Sequence, residues 1–411
     1  MKYPFLRLLL RKGYLPSMSS GKTSIQTGSF VTTTVAGEQV RAFIPAPLPP
    51  KPPLNLVPLY GLLEEANRAL GRLEGVTSIL PATPLFLYMY IRKEALLSSQ
   101  IEGTQSSLSD LLLFESNEAP GVPLDDVQEV ANYVAAMNHG LERLRGGFPL
   151  SLRLIREIHE ILLTKGRGSH KQPGEFRRSQ NWIGGTRPGN AAYVPPPPDR
   201  LMDCLSGLEK FIHEDTPGMP LLVKAALIHV QFESIHPFLD GNGRVGRLLI
   251  TFLLFAKAVL SQPTLYLSLY FKTHRQRYYD LLQGIREQGG WHNWLEFFLT
   301  GVKETSDQAA GTARQILTLF DTDRKHIEQL GRPAASALRV YQYLQGRPIL
   351  SVPIAVKALQ LTAPTVRKSI GHLLDLNIVS ETTGRRRGRL FVYNAYLDIL
   401  NQGTEPLAQY P

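Results

Sequence analysis

The chain has 411 residues and a mass of 45.9 kDa, enough at roughly 150 residues each for about two to three domains with buried cores. Hydrophobic residues make up 43% and charged residues 19%, and no apolar run reaches the roughly 18 uncharged residues that cross a bilayer, so a soluble globular chain without membrane contact is expected. Cys204 is the single cysteine, which excludes a disulfide framework or a cysteine zinc site within the chain and favours a reducing, cytoplasmic location.

The net charge of +10 sits at the two ends. Residues 1–17 carry Lys2, Arg7, Arg11 and Lys12 with no acid, and residues 332–411 carry ten basic residues against four acids, which leaves 18–331 neutral. The middle of the chain therefore works without a general positive field. Tyr3 to Leu10 is apolar with basic flanks, but Arg7 interrupts it and no small-residue cleavage site follows, so a basic tail is expected and not a secretory signal. Met18 offers a second, polar start.

From Phe30 to Ile44 the β-type residues alternate across the turn-like Ala36-Gly37, which predicts a short hairpin. Six prolines between Pro45 and Pro53 then impose an extended connector. Helical periodicity follows over 59–76, 85–100, 127–144, 152–163, 201–212, 221–235, 245–260, 275–286 and 291 to about 330. Between two of these helices, the glycines and prolines of Asn181 to Pro198 predict a β-like loop. Beyond Gly331-Arg332-Pro333, helices at 334–345, 353–360 and 365–376 precede two short strands around Thr383-Gly384, the order of a winged helix-turn-helix. The expected units are 1–55 (tail, β segment and connector), 56–125 (N-terminal helical region), 126–330 (catalytic domain) and 333–411 (winged helix).

Gly21-Lys22-Thr23 has Pro16 where a P-loop needs its first glycine, and His229 with Glu233 reads as a helix-face pair rather than a metal site. The stretch from His236 to Arg247, HPFLDGNGRVGR, is different. Gly241-Asn242-Gly243 can turn successive amides inward as an anion nest, and the helix that starts there adds its N-terminal dipole. Arg244 and Arg247, three apart, can clamp phosphate oxygens; Asp240 offers one carboxylate, enough for Mg2+ when phosphates complete the shell; His236 can take a proton near neutral pH. Phe238 is expected to lock the loop from the core.

This stretch resembles the HPFxxGNGRxxR signature of Fic-domain proteins at every motif position, and the likeness runs from about Ser29 to about Phe320. Pro173-Gly174-Glu175-Phe176-Arg177 and the Tyr193-Val194-Pro195-Pro196 flap are similar to neighbouring segments of that family. The resemblance implies a mainly α Fic-fold bundle with a small β-hairpin flap, and transfer of AMP from ATP to a Ser, Thr or Tyr hydroxyl of a protein. It implies His236 as the base, Asp240 on Mg2+, and Gly241, Asn242, Gly243, Arg244, Val245, Gly246, Arg247, Tyr278, Ala192 and Tyr193 around ATP. Tyr193, Val194 and Pro195 would hold the target as an added strand. Ser98-Ser99-Gln100-Ile101-Glu102-Gly103 resembles the family's inhibitory motif, with Glu102 taking Arg247 from the γ-phosphate and Ser98 at its start. Removal of AMP and transfer of another nucleotidyl group such as UMP stay open for the same site.

Thr365-Val366-Arg367-Lys368 and Arg385-Arg386-Arg387-Gly388-Arg389 suit contacts to DNA phosphates, so a nucleotide-sensing DNA-binding regulator is the rival of another class. The partners expected are a protein target with an accessible hydroxyl, the chain itself, a second copy in a homodimer, and DNA.

Overall fold

The structure, a computed structural model, describes residues 26–78, 83–115, 121–384 and 388–406. The basic tail and Arg385 to Arg387 of the expected wing lie outside the described residues.

Strands β1 (Gly28–Val35) and β2 (Glu38–Pro45) pair antiparallel through Ala36-Gly37, both at positive φ as a two-residue hairpin turn requires. Helices α1 (Tyr60–Ser78), α2 (Thr83–Ile101), α3 (Leu108–Glu115), α4 (Leu124–Arg145) and α5 (Leu152–Leu162) precede the long loop that contains the expected flap. Then come α6 (Pro198–His213), α7 (Leu221–Ile235), α8 (Asn242–Ala256), α9 (Ser268–Thr273), α10 (Arg275–Gln288) and α11 (Trp291–Glu328). The last stretch holds α12 (Ala334–Gly346), β3 (Ile349–Ser351), α13 (Val352–Leu359), α14 (Ala363–Asp375), β4 (Ser380–Glu381), β5 (Leu390–Val392) and α15 (Asn394–Asn401), with β5 central in an antiparallel sheet of order β3-β5-β4. The molecule is mainly α with small antiparallel sheets. Helices α3, α9 and α15 and strand β3 have no counterpart in the expected elements; each is eight residues or shorter.

Helix α7 carries apolar residues all round its circumference and sits in the interior, where Leu222 to Ile235 are all buried, Lys224, His229, Gln231 and Glu233 among them. Around it, α5 is one-sided: Leu154, Ile155, Ile158, His159 and Leu162 face inward, and the Ser151 hydroxyl caps its start by accepting from the Leu154 N–H. Asp125 and Asp126 open α4 and Arg143 and Arg145 close it, both favourable to the helix dipole. Helices α7, α8, α4 and α5 thus form one core that presents the α7–α8 connection at its edge.

The C-terminal elements are not a loosely tethered bead. Phe320 of α11 packs among Tyr341, Tyr393 and Tyr396, the Tyr341 hydroxyl donates to the Phe320 carbonyl at 3.2 Å, and Tyr393 bonds Asp323. Arg347 also lies over the Tyr88 ring of α2.

Packing of α4 on α8 is tight enough to forbid a methyl group: a Cβ at Gly140 would lie 2.3 Å from the Phe252 ring, whereas one at Gly207 in α6 meets nothing within 4 Å. Gly140→Ala should therefore destabilise by about 1–3 kcal/mol. Gly207→Ala should stabilise by about 0.5–1 kcal/mol, and urea unfolding of the two variants checks the opposite signs.

Candidate active site

The connection between α7 and α8 turns twice through left-handed backbone, at His236 (φ 49°) and Gly241 (φ 77°). Between these turns the chain is stapled by Asn242, whose amide accepts from the Phe238 N–H at 2.9 Å and donates to the Phe238 carbonyl at 2.8 Å. The Phe238 ring is fully buried and stacks on His159 with centroids 3.6 Å apart. His159 accepts from the Gly174 N–H at Nδ1 and donates from Nε2 to the Asp240 carbonyl, so its ring carries one proton; burial pushes its pKa down to about 4. Asn181 adds a bond to the Phe238 carbonyl at 3.0 Å.

Arg177 ties this loop to the flap. Its N–H donates to the Pro237 carbonyl, and its buried guanidinium reaches the carbonyls of His236 at 2.9 Å, Pro196 at 2.6 Å and Ser179 at 3.2 Å. All of these partners are backbone acceptors. Burial, followed by the positive charges of Arg177 and Arg286, pushes the His236 imidazole down to about 3, so the ring is neutral at neutral pH. Its Nδ1 is enclosed without a partner.

The first turn of α8 leaves the amides of residues 242–244 without intrahelical acceptors. Arg244 is buried against Glu129 at 3.3 Å, with Arg167 on the other carboxylate oxygen. Asp240 accepts from the Gly241 N–H at 2.7 Å and stands 3.8 Å from Arg244. Arg247, 2% exposed at its side chain, donates to the Ser98 hydroxyl at 2.8 Å, the Ser98 carbonyl at 3.0 Å and Glu102 Oε1 at 2.7 Å. Burial opposes its charge, and the Glu102 carboxylate more than offsets that, so its pKa is raised. Glu102 also overlies the start of α8: a Cβ at Gly243 would meet its Oε1 at 2.3 Å.

Four expected nucleotide residues have other partners in this geometry. Asn242 spends its side chain on Phe238, and Val245 points into the core with its N–H on the Gly241 carbonyl. Gly246 faces Glu233, whose Oε1 a Cβ would meet at 2.4 Å, and its carbonyl accepts from His229 Nδ1. Tyr278 is buried with its hydroxyl on His229 Nε2 at 2.8 Å. His229 and Glu233 thus belong to the α7–α8 packing, and burial raises Glu233 to about 7.

In the flap, Ile183 pairs with Tyr193 through both main-chain groups, and the Val194 carbonyl accepts from the Phe43 N–H of β2 at 2.9 Å. Pro195 and Pro196 give their carbonyls to Gln180 and Arg177. The Tyr193 ring is buried under Arg286 and its hydroxyl donates to the Ser234 carbonyl. Ala192 lies exposed with its N–H on the Ile183 carbonyl. The edge expected to receive a target at 193–195 is therefore already engaged within the chain, chiefly because β2 lies alongside it.

His159, Glu129 and Asn181 carry no signal in the sequence, since each acts through contacts far along the chain. Arg177 lay in a recognised segment, but its burial against carbonyls was not legible there.

Residues 60–142 match the Fic/DOC family N-terminal region and residues 149–254 match the Fic/DOC family. The chain is similar to the protein adenylyltransferase Fic of Aedes aegypti, 32% identical over 212 residues, 50% of this chain and 39% of that protein. It is also similar to the protein of the same name from Drosophila willistoni, 27% identical over 237 residues, 56% of this chain and 44% of that one. The chain spans less than half the length of these relatives. A crystal structure of a Fic family protein from Desulfovibrio desulfuricans G20 shares the fold, with TM-score 0.54 and 21% identity over 84% of this chain and 98% of that one.

A neutral His236 should titrate far below an ordinary histidine. With 13C-labelled histidine, its NMR midpoint in the unliganded protein should fall well under the usual value of about 6.5. A midpoint at that value would mean the ring is solvated.

Proposed function

The chain belongs to the Fic/DOC family, and from that premise we propose that this site transfers AMP from ATP to a hydroxyl side chain of a protein and is held down by Glu102. The observation that carries the proposal is the position of Glu102: the chain's own carboxylate sits on Arg247 and against the first turn of α8, where an anion finds free amides and a guanidinium. A γ-phosphate would need the same donors.

With Glu102 displaced, the amides that open α8 bind phosphate oxygens, Arg247 takes the γ-phosphate, and the chain is set for in-line attack at the α-phosphorus. Neutral His236 accepts the proton of the target hydroxyl as its oxygen bonds the α-phosphorus and pyrophosphate leaves. Arg244, fixed by Glu129, faces the departing charge. Asp240 suits Mg2+: one carboxylate, partly exposed, is what such an ion takes from protein when phosphates and water supply the rest, and it would neutralise phosphate charge there. Because residues 193–195 are engaged by Ile183, β2 and Gln180, the target strand would have to meet an outer edge of this small sheet or displace β2.

Transfer of label from α-labelled ATP to the protein itself and to lysate proteins tests the reading. Glu102→Gly should raise labelling by about 5- to 150-fold, the span of ordinary coupling energies. Adding His236→Ala should abolish it. Binding of ATP without labelling in any variant would favour AMP removal or nucleotide sensing instead.

For the C-terminal unit we read a winged helix that contacts DNA. Arg367 and Lys368 project into solvent from α14 while Val366 and Ile370 turn inward. Replacing both with Ala should weaken binding to duplex DNA and lower the slope of log affinity against log salt by about 1.8, at roughly 0.9 per phosphate contact. An unchanged slope would remove this role.

A further inference from the structure

After α15 the chain turns back at Gly403 and meets α2 and α9. Four consecutive carbonyls of this segment are taken by three side chains. Lys93 Nζ donates to the Gln402 carbonyl at 2.8 Å, Lys272 Nζ to those of Gly403 at 3.2 Å and Glu405, and Gln100 Nε2 to that of Thr404 at 2.8 Å. The donors are nearly inaccessible: Lys93 and Gln100 are 1% exposed and Lys272 6%. Burial pushes both amines down to about 8, with Glu405 acting in the opposite direction. A plain packing contact would use aliphatic side chains here, because burying two ammonium groups is costly without acceptors in place.

Gln100 has a second bond. The same Nε2 donates to the Ser106 carbonyl at 2.9 Å, so one amide joins the C-terminal segment to both sides of Glu102. Gln100 also lies in the last turn of α2, between Ser98 and Glu102, where the Glu102 and Gly103 N–H groups close onto Ser99 and Gln100. A helix end lacks onward partners of its own and is where order depends on outside contacts.

We propose that residues 402–405 are a latch on the inhibitory helix, with Gln100, Lys93 and Lys272 as positioning residues for Glu102. Displacement of the C-terminal unit then frees the last turn of α2 and lifts Glu102 from Arg247, so an event on that unit is read out as transfer activity. The latch rests on the reading of Glu102 as an inhibitor.

Gly403 allows a point test in the full chain, since it stands at φ 78° and a Cβ there would lie 2.8 Å from Leu269 Cδ1. Gly403→Val dislodges the segment from one side and Gln100→Leu releases it from the other. Each variant, with and without Glu102→Gly, is assayed for labelling by α-labelled ATP and for amide hydrogen exchange across residues 98–104. The expected result is labelling raised at least about fivefold by either variant, faster exchange in that stretch, and no further gain on top of Glu102→Gly. If Glu102→Gly is active while both variants stay at the wild-type level, or if they give the same gain without Glu102, the latch is overturned. If Glu102→Gly is itself inactive, the transfer reading fails, and exchange alone decides the latch: unchanged exchange overturns it, faster exchange supports it.

Discussion

The Arg247 guanidinium lies in the interior of a helical bundle and cannot be left without an anion. Its three bonds go to Ser98 in the last turn of α2 and to Glu102 just past its end, 149 and 145 residues away in the chain, and those bonds fix how α2 lies against α8. Because the charge is buried, whatever replaces Glu102 must be negative and must come from the same side. Gly243 completes the arrangement by leaving space for a carboxylate against the helix start. Under the proposed function, occupancy of this one guanidinium is a choice between the protein's own side chain and a phosphate.

Around that charge the loop from His236 to Gly241 is held rigid by groups that are themselves neutral or bonded to backbone. His159 carries one proton and uses both ring nitrogens, Asn242 closes on Phe238, and Arg177 gathers carbonyls from the motif loop and the flap. Burial of the same loop, with two arginines nearby, keeps the His236 ring uncharged at neutral pH.

Legibility in the sequence followed contiguity. The twelve residues from His236 to Arg247 could be read because their chemistry depends on helix spacing and a turn, both local. The helices at α5 and α7 could be read because the spacing of apolar residues is itself local. Helices α3, α9 and α15 escaped because eight residues or fewer give too few turns to establish a period. His159, Glu129 and Asn181 escaped for another reason: a buried polar side chain looks like an exposed one until its partner is known.

Local order in the chain therefore determined the helical class and the loop chemistry, and the partner proposed for Arg247 came from a family resemblance. Tertiary structure alone decided that β2 occupies the flap edge, that Gly246 and Tyr278 bond His229, and that residues 402–405 reach α2. Those outcomes depend on which carbonyls and N–H groups are left free after packing, and hydrogen-bond supply is settled between segments distant in the chain, where no sequence pattern records it.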